Sequence, residues 1–281
     1  MKRKASKNPK KNPRALLLPL VLMALALAGL AIWGVMQTLN RLEAACERQY
    51  VLTDAAEQVE IATGKAIPSG MIVDHFGLTN GANLAQIDFS ARRRRLLLDM
   101  PNLRDVKITR RMPRNIRIEA VERIPEVRVI GGGRSVSRNF VADRDGVIFW
   151  YPLGKTMLMP IIRETRENQP ASGKKLSGMA MAALRLIEES SAPEYAVLKI
   201  QEVDTFKPDY LFVTLGDSSR AKIAWEGMLK PTASSRISLT NQLTRLTRAI
   251  ESNLAAGTKL WNATDWGTPG RVYADDPSRA E

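Results

Sequence analysis

From Ala15 to Asn40 the chain has no charged residue. Just before this run, Lys2, Arg3, Lys4, Lys7, Lys10, Lys11 and Arg14 put seven positive charges and no acid into the first fourteen positions. No other feature restricts the fold as strongly. The most apolar part, residues 15–36, is 22 residues long. As a helix at about 1.5 Å per residue it reaches roughly 33 Å, enough to cross a hydrocarbon core. A helix pairs its own backbone N–H and C=O groups, so such a run can leave water. Pro19 falls in the first turn, where a missing N–H costs little, and Trp33 lies near the far end, where an indole suits the interface. Residues 15–36 therefore read as a single membrane helix and an uncleaved anchor in the lipid bilayer. Residues 1–14 read as a basic cytoplasmic tail, and the rest of the chain is expected outside the cytoplasm. The competing reading is a secretory signal peptide, whose apolar region is usually ~7–15 residues long and precedes a small-residue cleavage site. Ala24-Leu25-Ala26 resembles such a site but falls inside the apolar run. Ala44-Ala45-Cys46 invites a lipoprotein reading, but Arg41 and Glu43 interrupt the approach. Cys46 reads as a bystander near the membrane.

Composition narrows the chemistry. The chain is 44% hydrophobic and 25% charged, a globular balance, with 42 Lys+Arg against 29 Asp+Glu. One cysteine excludes an internal disulfide framework and a multi-cysteine metal site. One histidine, His75, makes a His-rich zinc centre or a Ser-His-Asp triad hard to build. His75 follows Asp74 near the end of a short helical segment, with no second ligand or base close in sequence. Asp143 and Asp145 hint at a calcium loop, but the glycine comes too early and no Glu closes twelve residues, so a β-turn is expected. Gly131-Gly132-Gly133 lacks the Lys-Ser/Thr of a phosphate loop and reads as a flexible turn. No catalytic residue, cofactor-binding residue or metal ligand is nominated.

Beyond a juxtamembrane stalk (37–57), the pattern predicts an α+β protein in two parts. Val59–Thr63 alternates as a half-buried strand. Ser69 is placed to cap a helix through Phe76, and Gly77, Asn80, Gly81 and Asn83 mark a loop. A second helix is expected over Ser90–Asp99, with Leu96, Leu97 and Leu98 supplying its buried side and Pro101 ending it. Asp105–Arg111 and Ile116–Val121 alternate on either side of Met112-Pro113-Arg114-Asn115, which predicts a hairpin. Two helices on one face of this three-stranded sheet would bury both apolar faces. Beyond Pro125 the pattern is mainly β. Strands are predicted over Val127–Ile130, Asn139–Ala142, Val147–Trp150, Ala196–Val203, Tyr210–Leu215 and Ala221–Trp225. Helices are predicted over Ser177–Ser190 and, with Leu239, Leu243, Leu246 and Ile250 in a stripe, Ile237–Asn253. Leu260–Tyr273 reads as extended and 274–281 as a polar tail.

With these pieces in order, the chain resembles the bacterial cell-division FtsQ/DivIB family. The resemblance rests on residues from about Val59 to Ile162. They include Gly77-Leu78-Thr79-Asn80-Gly81-Ala82-Asn83-Leu84 with Asp88, then Leu97, Met100-Pro101-Asn102-Leu103, Val106 and Arg110-Arg111-Met112-Pro113. Further along come Ile118-Glu119-Ala120-Val121-Glu122-Arg123-Ile124-Pro125, Asp143-Arg144-Asp145-Gly146-Val147-Ile148-Phe149 and Met159-Pro160-Ile161-Ile162. The resemblance implies a POTRA-like β-α-α-β-β domain over 58–124 and an FtsQ-type β domain over 125–273. It also implies a non-enzymatic scaffold in the inner membrane at the division septum, with the division proteins FtsB and FtsL as partners. In the family a late strand binds FtsB; its counterpart here is Thr264–Tyr273, which places candidate partner-binding residues at Arg271, Val272 and Tyr273.

Two features need no family. Arg92–Arg117 is rich in arginine, a pattern that binds nucleic acid through phosphates. The positive-inside orientation puts it away from chromosomal DNA, so no nucleic acid is expected. A solvated face, an acidic partner or anionic lipid headgroups fit instead. An exposed sheet edge, moreover, offers unpaired N–H and C=O groups that an extended partner segment can complete. Alternative readings are a membrane-anchored POTRA-like chaperone or secretion component handling extended polypeptides, and a cell-wall enzyme for which no residue can be named.

Overall fold

The structure, a computed structural model, describes residues 23, 27, 29–41, 48–64, 66–111, 113–132, 139–152, 158–252, 257–267 and 271–275. Most of the expected span 15–36 lies outside them, and among the described residues no helix is long and apolar enough to cross a membrane. Cys46 also lies outside. Residues 29–41 form helix α1. Its apolar side chains face outward all round: Leu30 and Ile32 are 64% exposed and Met36 59%. An amphipathic surface helix would hide one such stripe.

The chain divides into two compact units. One holds Met1–Ala62, Ser69–Phe89 and Ile108–Ile118; the other holds Thr63–Pro68, Ser90–Lys107 and Glu119–Glu281.

In the first unit the chain is tied down before the expected end of the stalk. The Leu52 N–H donates to Ala82 O (2.9 Å), Gly81 N–H to Leu52 O (2.8 Å) and Leu84 N–H to Tyr50 O (3.0 Å), and Leu52 is buried. A one-turn helix α2 (Ala55–Gln58), capped by Asp54, leads into β1 (Val59–Ala62). Helix α3 (Ser69–Phe76) buries Ile72 and Phe76, one turn apart on one face. It ends because Gly77 adopts φ 59°, which costs glycine little. The Leu78 N–H then reaches back to Val73 O and the Gly77 N–H to Asp74 O, each at 3.1 Å. This is a Schellman closure, and the Leu78 side chain is buried behind it.

Helix α4 (Phe89–Asp99) corrects one expectation. Leu96 is fully buried, but Leu97 is only half-buried and Leu98 is 79% exposed. Three successive helical residues spread over most of a turn, so a single face can take only one of them. Strands β2 (Leu103–Arg111) and β3 (Asn115–Glu122) complete a three-stranded sheet of order β1-β3-β2. In the central strand Ile116, Ile118 and Ala120 are buried in alternation.

In the second unit, nine strands form one mixed sheet. They are β4 (Val127–Ile130), β5 (Phe140–Ala142), β6 (Ile148–Trp150), β7 (Ile161–Arg163), β8 (Glu202–Asp204), β9 (Leu211–Thr214), β10 (Arg220–Ile223), β11 (Leu260–Asp265) and β12 (Arg271–Ala274). Their order is β12-β11-β10-β9-β8-β7-β4-β5-β6. Helix α5 (Gly178–Ser190) connects β7 to its parallel neighbour β8, and α6 (Ser235–Glu251) connects β10 to its parallel neighbour β11. A parallel pair needs such a crossover, and the crossover helix then covers a sheet face. The core lies there: Ala180, Ala183, Leu184, Leu239, Leu243 and Leu246 pack with Ile162, Val203, Val213, Ala221 and Ala263.

Local chemistry explains both helices. Ser177 caps α5 by accepting from Ala180 N–H, and the buried Glu164 carboxylate accepts from the Ser177 N–H and hydroxyl. That negative charge suits a helix N-terminus. Gln242, buried on α6, donates to Ala224 O just past β10 and to Ala263 O within β11.

The strand predicted over Ala196–Val203 is only Glu202–Asp204. Pro193–Tyr195 is a 3₁₀ turn, and the chain loops on through Lys199 at φ 40° before joining the sheet. β7 escaped the sequence reading because three residues are too few to show a period. Gly132 is not a generic flexible turn. A Cβ there would sit 2.8 Å from Glu164 O and 2.9 Å from Arg166 N, so close backbone approach demands glycine.

Candidate partner-binding edge

A nine-stranded open sheet has two rims, and this chain treats them differently. At the β6 rim, the Ile148 N–H donates to Lys174 O (2.8 Å), the Gly173 N–H donates to Ile148 O (2.7 Å) and Val147 bridges Lys175. The segment from Gly173 to Lys175 thus covers that rim. At the other rim, β12 pairs only with β11, and among the described residues no strand lies beyond it.

The three residues singled out from the sequence, Arg271, Val272 and Tyr273, all lie in β12. The Asp275 N–H points inward, donating to Leu260 O at 2.8 Å. N–H direction alternates along a strand, so the Tyr273 N–H also points inward, while those of Val272 and Ala274 point outward. Val272 packs against the core and Tyr273 is 49% exposed. Between the pairs Asn262–Tyr273 and Asp265–Arg271 the register slips by one residue on the β11 side. The Asn262 side chain holds this bulge by accepting from the Thr264 N–H (3.1 Å) and hydroxyl (2.8 Å).

A buried ion pair pins the end of β12. Lys222 Nζ on β10 lies 2.9 Å from Asp275 Oδ2, and Asn262 Nδ2 donates to the same oxygen at 3.3 Å. Both charged side chains are about nine-tenths buried (10% and 12% exposed). Lys222 also lies over the Tyr210 ring. Sequence reasoning missed this pair. Lys222 sits in an alternating strand like any outward lysine, and Asp275 falls in what reads as a polar tail, so no local signal links them.

Lys222 belongs to a row of side chains across the helix-free face, formed through the pairings of Ile130, Arg163, Asp204, Phe212, Lys222, Asn262 and Tyr273. Arg163 Nε donates to Glu202 Oε1 (2.7 Å). Asp204 Oδ1 lies 3.1 Å from the same Nε but out of line for a hydrogen bond. Burial, and then the neighbouring Glu202 charge, push the Asp204 carboxyl above its ordinary value, against Arg163 and Arg220.

Other candidates resolve into structural roles. Asp143 accepts from Arg123 (2.5 Å) and from the Val147 N–H (2.8 Å), and Gly146 turns the chain at φ 73°. Asp145 lies 3.5 Å from Arg104. His75 packs edge-on against Phe76. A cleft of about 590 Å³ between α5 and the start of α6 carries Arg144, Arg185 and Arg236. There Arg144 pairs with Glu188 and Arg236 with Glu189. Among the described residues no group of three or more His, Cys, Asp or Glu could hold a metal ion.

These features describe a mixed α+β protein whose most available chemistry is main-chain hydrogen bonding at one strand. The chain is 24% identical over 177 residues to the cell division protein FtsQ of Koribacter versatilis (strain Ellin345), a match covering 62% of this chain and 49% of that protein. The chain thus spans about half the length of the curated relative it matches, and the likeness is to a division protein. No family model matches.

Proposed function

We propose that this protein is a non-enzymatic, single-pass membrane scaffold of the bacterial cell-division machinery. Residues 15–36 would anchor it in the inner membrane, with residues 1–14 in the cytoplasm and the folded part outside, at the septum. A POTRA-like domain over 58–124 and a β domain over 125–273 would recruit division proteins, FtsB and FtsL among them. The observation that carries this reading is the outer side of β12, which pairs with no strand among the described residues. The outward N–H groups of Val272 and Ala274 can accept an extended partner segment as a tenth strand, with main-chain bonds supplying affinity and Tyr273 a side-chain contact. The all-round apolar α1 and the likeness to FtsQ support the membrane and division parts.

The test is photo-crosslinking in cells from positions 272 and 274, followed by identification of what is captured. Capture of a membrane division protein such as FtsB, together with filamentous cells on depletion, is the expected result. Capture of translocating polypeptides, or normal septation without the protein, would reject the reading.

A further inference from the structure

The first compact unit brings together three stretches that the sequence keeps apart: the chain just after α1, the loop 81–84 and the far half of the β2–β3 hairpin. Residues 50–52 are bonded to the loop as described above, and Arg114 in the hairpin turn donates from Nε to Gln49 O at 3.2 Å. The hairpin tip therefore lies beside Gln49, on the chain that follows α1. From Arg41, the last described residue of α1, to Arg48 is seven residues, no more than about 24 Å fully extended and about 10 Å if helical.

The charge of this tip is one-sided. Between Asp105 and Glu119 the chain has Lys107, Arg110, Arg111, Arg114 and Arg117 and no acid. Arg117 is engaged with Glu60 at 3.1 Å. Arg110 stacks over the Phe89 ring at 4.5 Å, and among the described residues no carboxylate is paired with it. Arg111 and Arg48 are exposed, and among the described residues neither forms an ion pair. We infer that Arg48, Arg110, Arg111 and Arg114 form a cationic face that rests on the anionic phospholipid headgroups of the membrane entered by α1. This inference rests on the anchored reading of residues 15–36. Arginine suits the role because its planar fork binds phosphate oxygens in pairs. Each basic side chain near an anionic surface favours the docked state by roughly fivefold.

The experiment uses the full chain in lipid nanodiscs. Cys46→Ser removes the native thiol, and Asn115→Cys, at an exposed site beside the tip, carries a fluorophore. Lipids spin-labelled in the headgroup act as the quencher. Strong quenching is expected when phosphatidylglycerol makes up about a third of the lipid. It should fall in neutral discs and at about 1 M salt, where the screening length is about 3 Å. It should also drop severalfold in Arg48→Glu/Arg111→Glu. Equal quenching in neutral and anionic discs, or quenching indifferent to the double substitution, overturns the inference while leaving the anchor intact. Failure of the chain to enter discs of either kind overturns the anchored reading and the inference with it.

Discussion

The two rims of the nine-stranded sheet present the same chemistry and meet opposite treatment. At β6 the chain folds its own Gly173–Lys175 segment over the edge and bonds to it. At β12 no strand among the described residues meets the outward N–H groups, while Lys222 and Asp275 lock the strand's end from inside. An open strand edge invites association with another chain, and natural sheets usually blunt it. Among the described residues the contrast is between a covered rim and one whose end is pinned from inside. A strand held by a buried ion pair and a bulge has less freedom to lose, which would lower the ordering cost of the proposed partner binding.

Four substitutions would break or sharpen this contrast. The largest effect is expected from Gly173→Pro at the covered rim. Gly173 sits at φ 84°, which proline cannot adopt, and its N–H donates to Ile148 O. A loss of about 3 kcal/mol or more follows, measured by denaturant unfolding. Freed β6 edges should also self-associate in analytical ultracentrifugation. Nearly as large is Asp275→Ala at the open rim, which removes the carboxylate 2.9 Å from the buried Lys222 ammonium. The cost is about 3 kcal/mol, with faster hydrogen exchange at the Tyr273 amide. Recovery of most of that loss in Lys222→Met/Asp275→Ala would show that the buried Lys222 charge, not lost packing, is the cause. Third, Ala274→Pro removes one outward donor and places a ring where a partner strand would lie. Partner binding should weaken about tenfold, roughly 1.4 kcal/mol, with thermal unfolding unchanged. A large drop in melting temperature would instead mean that the donor faces inward.

The smallest effect concerns Asp204 and runs with pH. Its carboxyl is raised in the fold, so the unfolded chain gives up this proton first. Stability therefore falls as pH climbs from the ordinary aspartate value of about 3.9 through the raised folded one. Asp204→Asn should flatten that slope and change stability at neutral pH by less than about 1 kcal/mol, as read by urea unfolding at several pH values. Asp105 has the opposite sign. Its hydrogen bond from Arg93, and then one from the Val106 N–H, lower its carboxyl, so its contribution persists above the ordinary carboxylate range and is lost only in acid.

Particular elements show what a one-dimensional reading reaches. The alternation in β3, the leucine stripe of α6 and the extent of α5 depend on residues within a turn or two, and all three are where the pattern put them. Leu97 and Leu98 were misjudged because apolar character says nothing about which point of the helix circle faces inward. The stretch after Pro193 was misjudged because its apolar residues also suit a looped segment buried at Leu198. The placement of Arg271–Tyr273 in an extended segment was legible, but its position at a rim was not.

The sequence alone determined the uncharged run behind a basic head, the α+β class and most helices and strands. These follow from hydrophobic period, capping and turn residues, which are interactions among near neighbours. Only the tertiary structure decided that nine short strands join into one sheet, that the chain covers the β6 rim while no described strand lies beyond β12, and that Lys222 meets Asp275 across 53 positions. Strand order is set by where two crossover helices return the chain, a global packing balance that no local window contains.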